Sequence, residues 1–139
     1  MAAFNKFNQF VEDVAHGVHD LGADQIVVAL TNTLPVATDA TLSPDISEIS
    51  YASCSTRNVT RTSSAETSGT YKLTLTDLTL TASGGAVGPF QYVVLYNDTP
   101  TSPADPLIGW YDYGSAVTLN DTETLDIDFS DAGGALTIV

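Results

Sequence analysis

In Thr70-Tyr71-Lys72-Leu73-Thr74-Leu75-Thr76 every second side chain is apolar. That period of two puts Tyr71, Leu73 and Leu75 on one face of an extended segment and leaves hydroxyls and a lysine on the other, the pattern of a half-buried strand. It recurs in short pieces along most of the chain. Residues 25–31 form a short apolar run rich in β-branched side chains, which predicts a strand buried on both faces. Further strands are predicted over residues 78–81, 90–96, 107–113, 116–119, 124–129 and 135–139, with an edge strand around residues 58–61. Ser83-Gly84-Gly85 and Gly88-Pro89 read as turns, and Gly133-Gly134 as a hairpin turn joining the last two strands. Residues 32–50, with Pro35 and Pro44, read as loop with at most one helical turn.

The first 22 residues follow a different period. Phe4, Phe7, Val11, Val14, Val18 and Leu21 recur at spacings of three and four, with Phe10 beside them. This predicts an amphipathic helix ending at Gly22, with Gly17 as a weak interior position. The polar face has too little Lys and Arg for a membrane-surface helix. The expected architecture is therefore mainly β: a β-sandwich or jelly-roll-like domain of eight or nine short strands over residues 23–139, preceded by an N-terminal helical arm over residues 1–22. A chain of 139 residues buries enough surface to fold as one such domain without a disulfide or metal. The 19 Thr and 12 Ser supply polar surface where charged residues make up only 15%.

Charge narrows the range of partners. Lys6, Arg57, Arg61 and Lys72 stand against 17 acidic residues, for a net charge of −13. Phosphate binding needs several cations on one face, so nucleic acid and anionic membranes are not expected partners. Cys54 is the sole cysteine, so no intrachain disulfide forms, and the first residues lack the apolar core of a signal peptide. Synthesis in a cytoplasm is expected.

Several constellations bear on chemistry. His16 and His19 lie near Glu12 and Asp20, but the set lacks further ligands at metal-site spacing and reads as a polar helix face. Asp121, Glu123, Asp126, Asp128 and Asp131 form an acidic run. Asp126 and Asp128 share one strand face, either solvated or, with loop carbonyls, a Ca²⁺ grip that lacks EF-hand spacing. Cys54 has no activating neighbour, and no nucleophile elbow or phosphate loop occurs. Phe90, Tyr92, Tyr96, Trp110, Tyr111 and Tyr113 fit core packing or a carbohydrate platform. The Asn-x-Thr triplets at Asn58, Asn97 and Asn120 read as Asn-built turns. No catalytic residue, cofactor or metal site is expected.

The chain also resembles a known family. The opening "FNKFNQFVEDVAHGVHDLG" is similar to the start of small structural proteins of tailed bacteriophages. So are "IVVALTNTLPVA", "SGTYKLTLTDLTLTASGG", "VGPFQYVVLYNDTPTSPADPLIGWYDYGSAVTL" and "FSDAGGALTIV". The likeness spans nearly the whole chain, is most specific between Val87 and Leu119, and is weakest over residues 43–66. It implies a non-enzymatic virion component, in particular a capsid decoration or cement protein on the phage head. Tail or head–tail connector protein and carbohydrate- or receptor-binding module are the alternatives. The expected partners are the major capsid protein and copies of the chain itself, in a closed ring such as a trimer. Phe4, Phe7, Phe10, Val11, Val14, Val18 and Leu21 are the expected partner interface. Deleting residues 1–21 is then expected to abolish attachment and leave a folded β domain.

Overall fold

The computed structural model describes residues 2–129 and 133–139. Among them the chain runs β1 (Phe4–Lys6), α1 (Asn8–Ala15), β2 (Ile26–Thr31), β3 (Arg61–Thr67), β4 (Thr70–Leu75), β5 (Leu78–Thr81), β6 (Val87–Asn97), β7 (Leu107–Leu119), β8 (Thr124–Ile127) and β9 (Leu136–Ile138). The fold is mainly β, in antiparallel sheets ordered β1-β7-β6-β2, β3-β4-β9 and β5-β8.

The four-stranded sheet is covered on both faces. All six residues of β2 are buried. Ile26, Val28 and Leu30 join a cluster with Val93, Leu95 and Ile108, which packs on Leu73 and Leu75 of β4, Leu80 of β5 and Ile127 of β8. Val27 and Ala29 point the other way, into a second cluster with Val94, Tyr96, Leu107 and Phe7. Residues 32–50 cap that second cluster. A single turn at Leu42–Asp45 brings Leu42 and Ile46 onto it, and the segment is tied down by the Asn8 N–H on the Ala37 carbonyl (2.8 Å) and the Leu107 N–H on the Ala40 carbonyl (3.0 Å). A continuous apolar run is what a strand needs when neither face meets water.

The N-terminal segment departs from the expected long helix. Phe4, Asn5 and Lys6 form an edge strand, in register with Tyr111, Trp110 and Gly109 of β7. Phe7 is extended (φ −76°, ψ 146°), and α1 begins only after it. The helix ends at Ala15 because Gly17 adopts φ +74°. The Val18 N–H then reaches the Asp13 carbonyl at 2.8 Å and the Gly17 N–H reaches Val14 at 3.2 Å, a Schellman C-cap. The helix stop is therefore Gly17, five residues before the expected Gly22. Helical spacing continues beyond it only because the turn delivers Leu21 into the core. Phe7 (0% exposed), Phe10 (4%) and Leu21 (8%) are buried, so this segment packs as part of the β body. A cut after residue 21 removes an edge strand and three core side chains, so the deletion is expected to destabilise the domain it leaves.

Smaller departures have local causes. The strand expected around residues 58–61 begins at Arg61, and Asn58 makes only a single bridge to Val27. Gly88-Pro89 lies inside β6, at a register shift between Val87 and Phe90, where a bulge tolerates a residue without an N–H. The two segments expected over residues 107–119 are one strand, with Gly114 at φ +83°. β8 and β9 do not form a hairpin: β8 pairs with β5 and β9 with β4.

Candidate docking groove

The two ends of the chain lie side by side. β1 is the edge of one sheet and β9 the edge of another, and α1 runs beside both. Between them is a groove of about 650 Å³ lined by Phe4 and Lys6 of β1, Phe10, Val11, Val14 and Ala15 of α1, and residues 133–139. Its walls carry exposed apolar side chains: Val11 is 53% exposed, Ile138 38% and Val139 100%. β9 hydrogen-bonds to β4 through Tyr71↔Ile138, Lys72↔Thr137 and Leu73↔Leu136, and no strand among the described residues pairs with its other side.

The electrostatics of the groove differ from those of the chain. Among the described residues no Asp or Glu side chain lines it, although 17 occur in the sequence, and Lys6 does. The stem of Lys72 passes beneath Gly134, where an added Cβ would lie 2.5 Å from its Cγ. The two arginines are engaged elsewhere. Arg57 donates from Nη1 to the Val28 carbonyl at 2.6 Å and lies 3.6 Å over the Tyr51 ring, and Arg61 donates to the Asp24 carbonyl at 3.2 Å.

Of the side chains expected to meet a partner, Phe4, Phe10, Val11 and Val14 line this groove. Phe7 points to the opposite face, its ring 4.6 Å from that of Trp110. Leu21 belongs to the main core and Val18 is half-buried in the turn after α1. The contribution of β9 was not legible, because Leu136-Thr137-Ile138 carries no mark of an edge strand.

The other constellations resolve into local roles. His16 is exposed beside Glu12 (3.7 Å), whereas His19 is buried against Asn97, so the two rings do not converge. Asp126 and Asp128 are exposed while Ile127 and Phe129 are buried, the alternation expected of β8. Asp121 accepts the Gly84 N–H (2.9 Å), Glu123 the Asn120 N–H (2.7 Å) and Asp126 the Thr79 hydroxyl. Asp131 lies outside the described residues. Among the described residues no group of three or more His, Cys, Asp and Glu is placed to hold a metal, and no helix is long and apolar enough to cross a membrane. Phe90, Tyr92, Tyr96 and Tyr111 are buried, the core-packing alternative, and leave only Trp110 and Tyr113 of the six partly exposed. Burial pushes the Cys54 thiol up, away from thiolate chemistry. Asn97 builds a turn as expected, its Oδ1 accepting the Thr99 N–H at 3.1 Å. Comparison with protein-family models, with curated proteins and with solved structures finds no match to this chain.

Proposed function

We propose that this chain is a non-enzymatic virion structural protein of the tailed-bacteriophage type, and specifically a capsid decoration protein that works through subunit interfaces. The observation that carries the reading is the apolar groove between α1 and β9, which leaves Val11, Ile138 and Val139 open to water beside a strand edge that is unpaired among the described residues. The sequence resemblance supplies the virion context. The finer architecture belongs to the same proposal: a β-sandwich of jelly-roll type, in which the four-stranded sheet faces the two smaller ones across the main core.

The occupant assigned to the groove is a neighbouring copy of this chain. Two bodies of charge −13 repel wherever their acidic faces meet, and among the described residues the groove is lined by no carboxylate side chain and by Lys6. The open edge of β9 can also extend its sheet by main-chain hydrogen bonds from a neighbour. A closed ring of copies, a trimer in the simplest case, buries every such edge. That ring presents a multivalent face to the capsid shell.

Antibody-gold labelling of intact particles, with copy number from quantitative mass spectrometry, tests the reading. Dense label over the head at hundreds of copies is expected. Label confined to the tail or connector, at a dozen copies or fewer, overturns the decoration role. Absence of the chain from particles overturns the virion role altogether.

A further inference from the structure

Behind α1, away from the groove, four polar side chains meet inside the fold. Asn97 is fully buried at the end of β6. Its Oδ1 accepts the Thr99 N–H at 3.1 Å and its Nδ2 donates to Asp24 Oδ2 at 2.7 Å. These two bonds assign the amide: exchanging O and N would set N–H against N–H at Thr99 and carbonyl against carboxylate at Asp24. In the assigned orientation Nδ2 also faces His19 Nδ1 at 3.1 Å. A donor there requires Nδ1 to be the lone-pair nitrogen, so the proton sits on Nε2 and the ring is neutral.

His19 is 8% exposed, and its ring lies 5.1 Å from that of Phe10 on α1. Its Nε2, and the Oδ2 of Asp13 on α1, are buried without a hydrogen-bond partner among the described residues. The other oxygen of Asp13 accepts from Gln9 Nε2 at 3.2 Å.

We propose that His19 is an acid-sensitive latch, which holds the C-terminal end of α1 and its following turn against the end of β6 only while its imidazole is neutral. Protonation places an N–H on Nδ1 directly against the Nδ2 donor of Asn97. The amide cannot turn over to offer its oxygen without giving up both Thr99 and Asp24. The ring must therefore leave its site, and Phe10 and Asp13 lose the surface they pack on. The charged and titratable groups around it are Asp13 from α1, Asp24 and Asp20 from the turn before β2, and Tyr71 from β4 across the shared surface depression. Burial lowers the His19 pKa from its ordinary value, and the nearby Asp13 and Asp24 charges oppose that shift. A base whose folded pKa lies below its unfolded one stabilises the fold above the unfolded value of about 6.5. That contribution is lost as pH falls below it. The latch concerns the order of α1 and stands independently of what the groove binds.

Nitrogen-15 NMR of the full chain tests it. At neutral pH the His19 ring is expected as the Nε2–H tautomer. It is expected to titrate below the ordinary histidine value of about 6.5, and backbone protection over residues 8–24 to fall as it does while that of β2 and β6 persists. An Nδ1–H tautomer overturns the proposal. So does titration at or above that ordinary value, or unchanged protection over α1 once His19 is charged. In His19→Asn an oxygen acceptor replaces Nδ1 and no proton is gained, so the pH dependence of α1 protection should disappear. Its persistence would count equally against the latch, and the wild-type titration decides the matter if that variant folds poorly.

Discussion

Gly109 on β7 sits opposite Lys6 of β1, and a Cβ there would lie 2.3 Å from the Phe4 ring and 2.6 Å from the Asn5 carbonyl oxygen. One of those neighbours is backbone, so the strand itself must move to admit a methyl group. Gly109→Ala is expected to cost about 1–3 kcal/mol, the usual range for overpacking. Hydrogen exchange should show β1 loosened first; a variant with unchanged protection over residues 4–6 would refute this account of the edge. The buried phenols give a second prediction at the same scale. Burial pushes Tyr111 up to about 12 and raises Tyr51 further, with Glu48 beside the latter adding to the shift. For an acid whose folded pKa is raised, the fold favours the protonated form. Its stabilisation is complete below the unfolded value of about 10 and is lost as pH rises through about 12. Urea titrations at stepped pH should therefore hold their midpoint to about pH 10 and fall steeply above it. A flat midpoint to pH 12 would mean that neither phenol is held protonated by the fold.

At the scale of elements, a pair of substitutions separates the helix end found at Gly17 from the one expected at Gly22. Gly17 has φ +74° with nothing within 4 Å of an added Cβ, so a substitution there meets conformational strain alone. Gly22 lies in a turn without a positive φ, and its Cβ would lie 3.3 Å from the Asp20 carboxylate and 3.7 Å from the Ser64 hydroxyl, both side-chain ends. Gly17→Ala should thus cost about 1–2 kcal/mol, the usual penalty for a left-handed residue with a side chain. Gly22→Ala should cost a few tenths at most, and equal thermal shifts for the pair would contradict the C-cap. The example also shows what was legible. Period-two alternation and apolar runs located β2, β4, β5, β6 and most of β7, because the burial of each strand face is written into its own residues. The short β1 was not legible. Phe4 and Phe7 happen to keep helical spacing, and only the distant Gly109 makes room for an extended chain over β7. The pairing of β9 with β4 was hidden for a similar reason, since Gly133-Gly134 describes a turn and not its destination. In the groove, the Phe10, Val11 and Val14 wall could be read from the sequence, and the β9 wall could not.

Taken whole, the molecule carries its charge unevenly. The net charge is −13, two of its four cations donate to backbone carbonyls within the fold, and among the described residues no acidic side chain lines the groove between α1 and β9. Association through that groove gains from burying Val11, Ile138 and Val139 at roughly 25 cal/mol per Å² of apolar area. It is opposed by repulsion between the acidic surfaces around the contact. Those surfaces act across the distance that salt screens: the Debye length shrinks from about 30 Å at 0.01 M to about 8 Å at 0.15 M and about 3 Å at 1 M. Salt should therefore strengthen self-association, the reverse of its effect on an interface held by ion pairs. Sedimentation velocity at a fixed protein concentration should show the oligomer growing as salt is raised from about 0.01 M to about 1 M. Val11→Asp and Ile138→Asp each place a carboxylate in the groove and should hold the chain monomeric throughout, whereas Val11→Leu should leave assembly intact. Both sites are exposed, so the charged variants should keep a wild-type melting curve. Oligomers that weaken with salt, or that survive both charged variants, would place the contact on another face and remove the neighbouring copy from the groove.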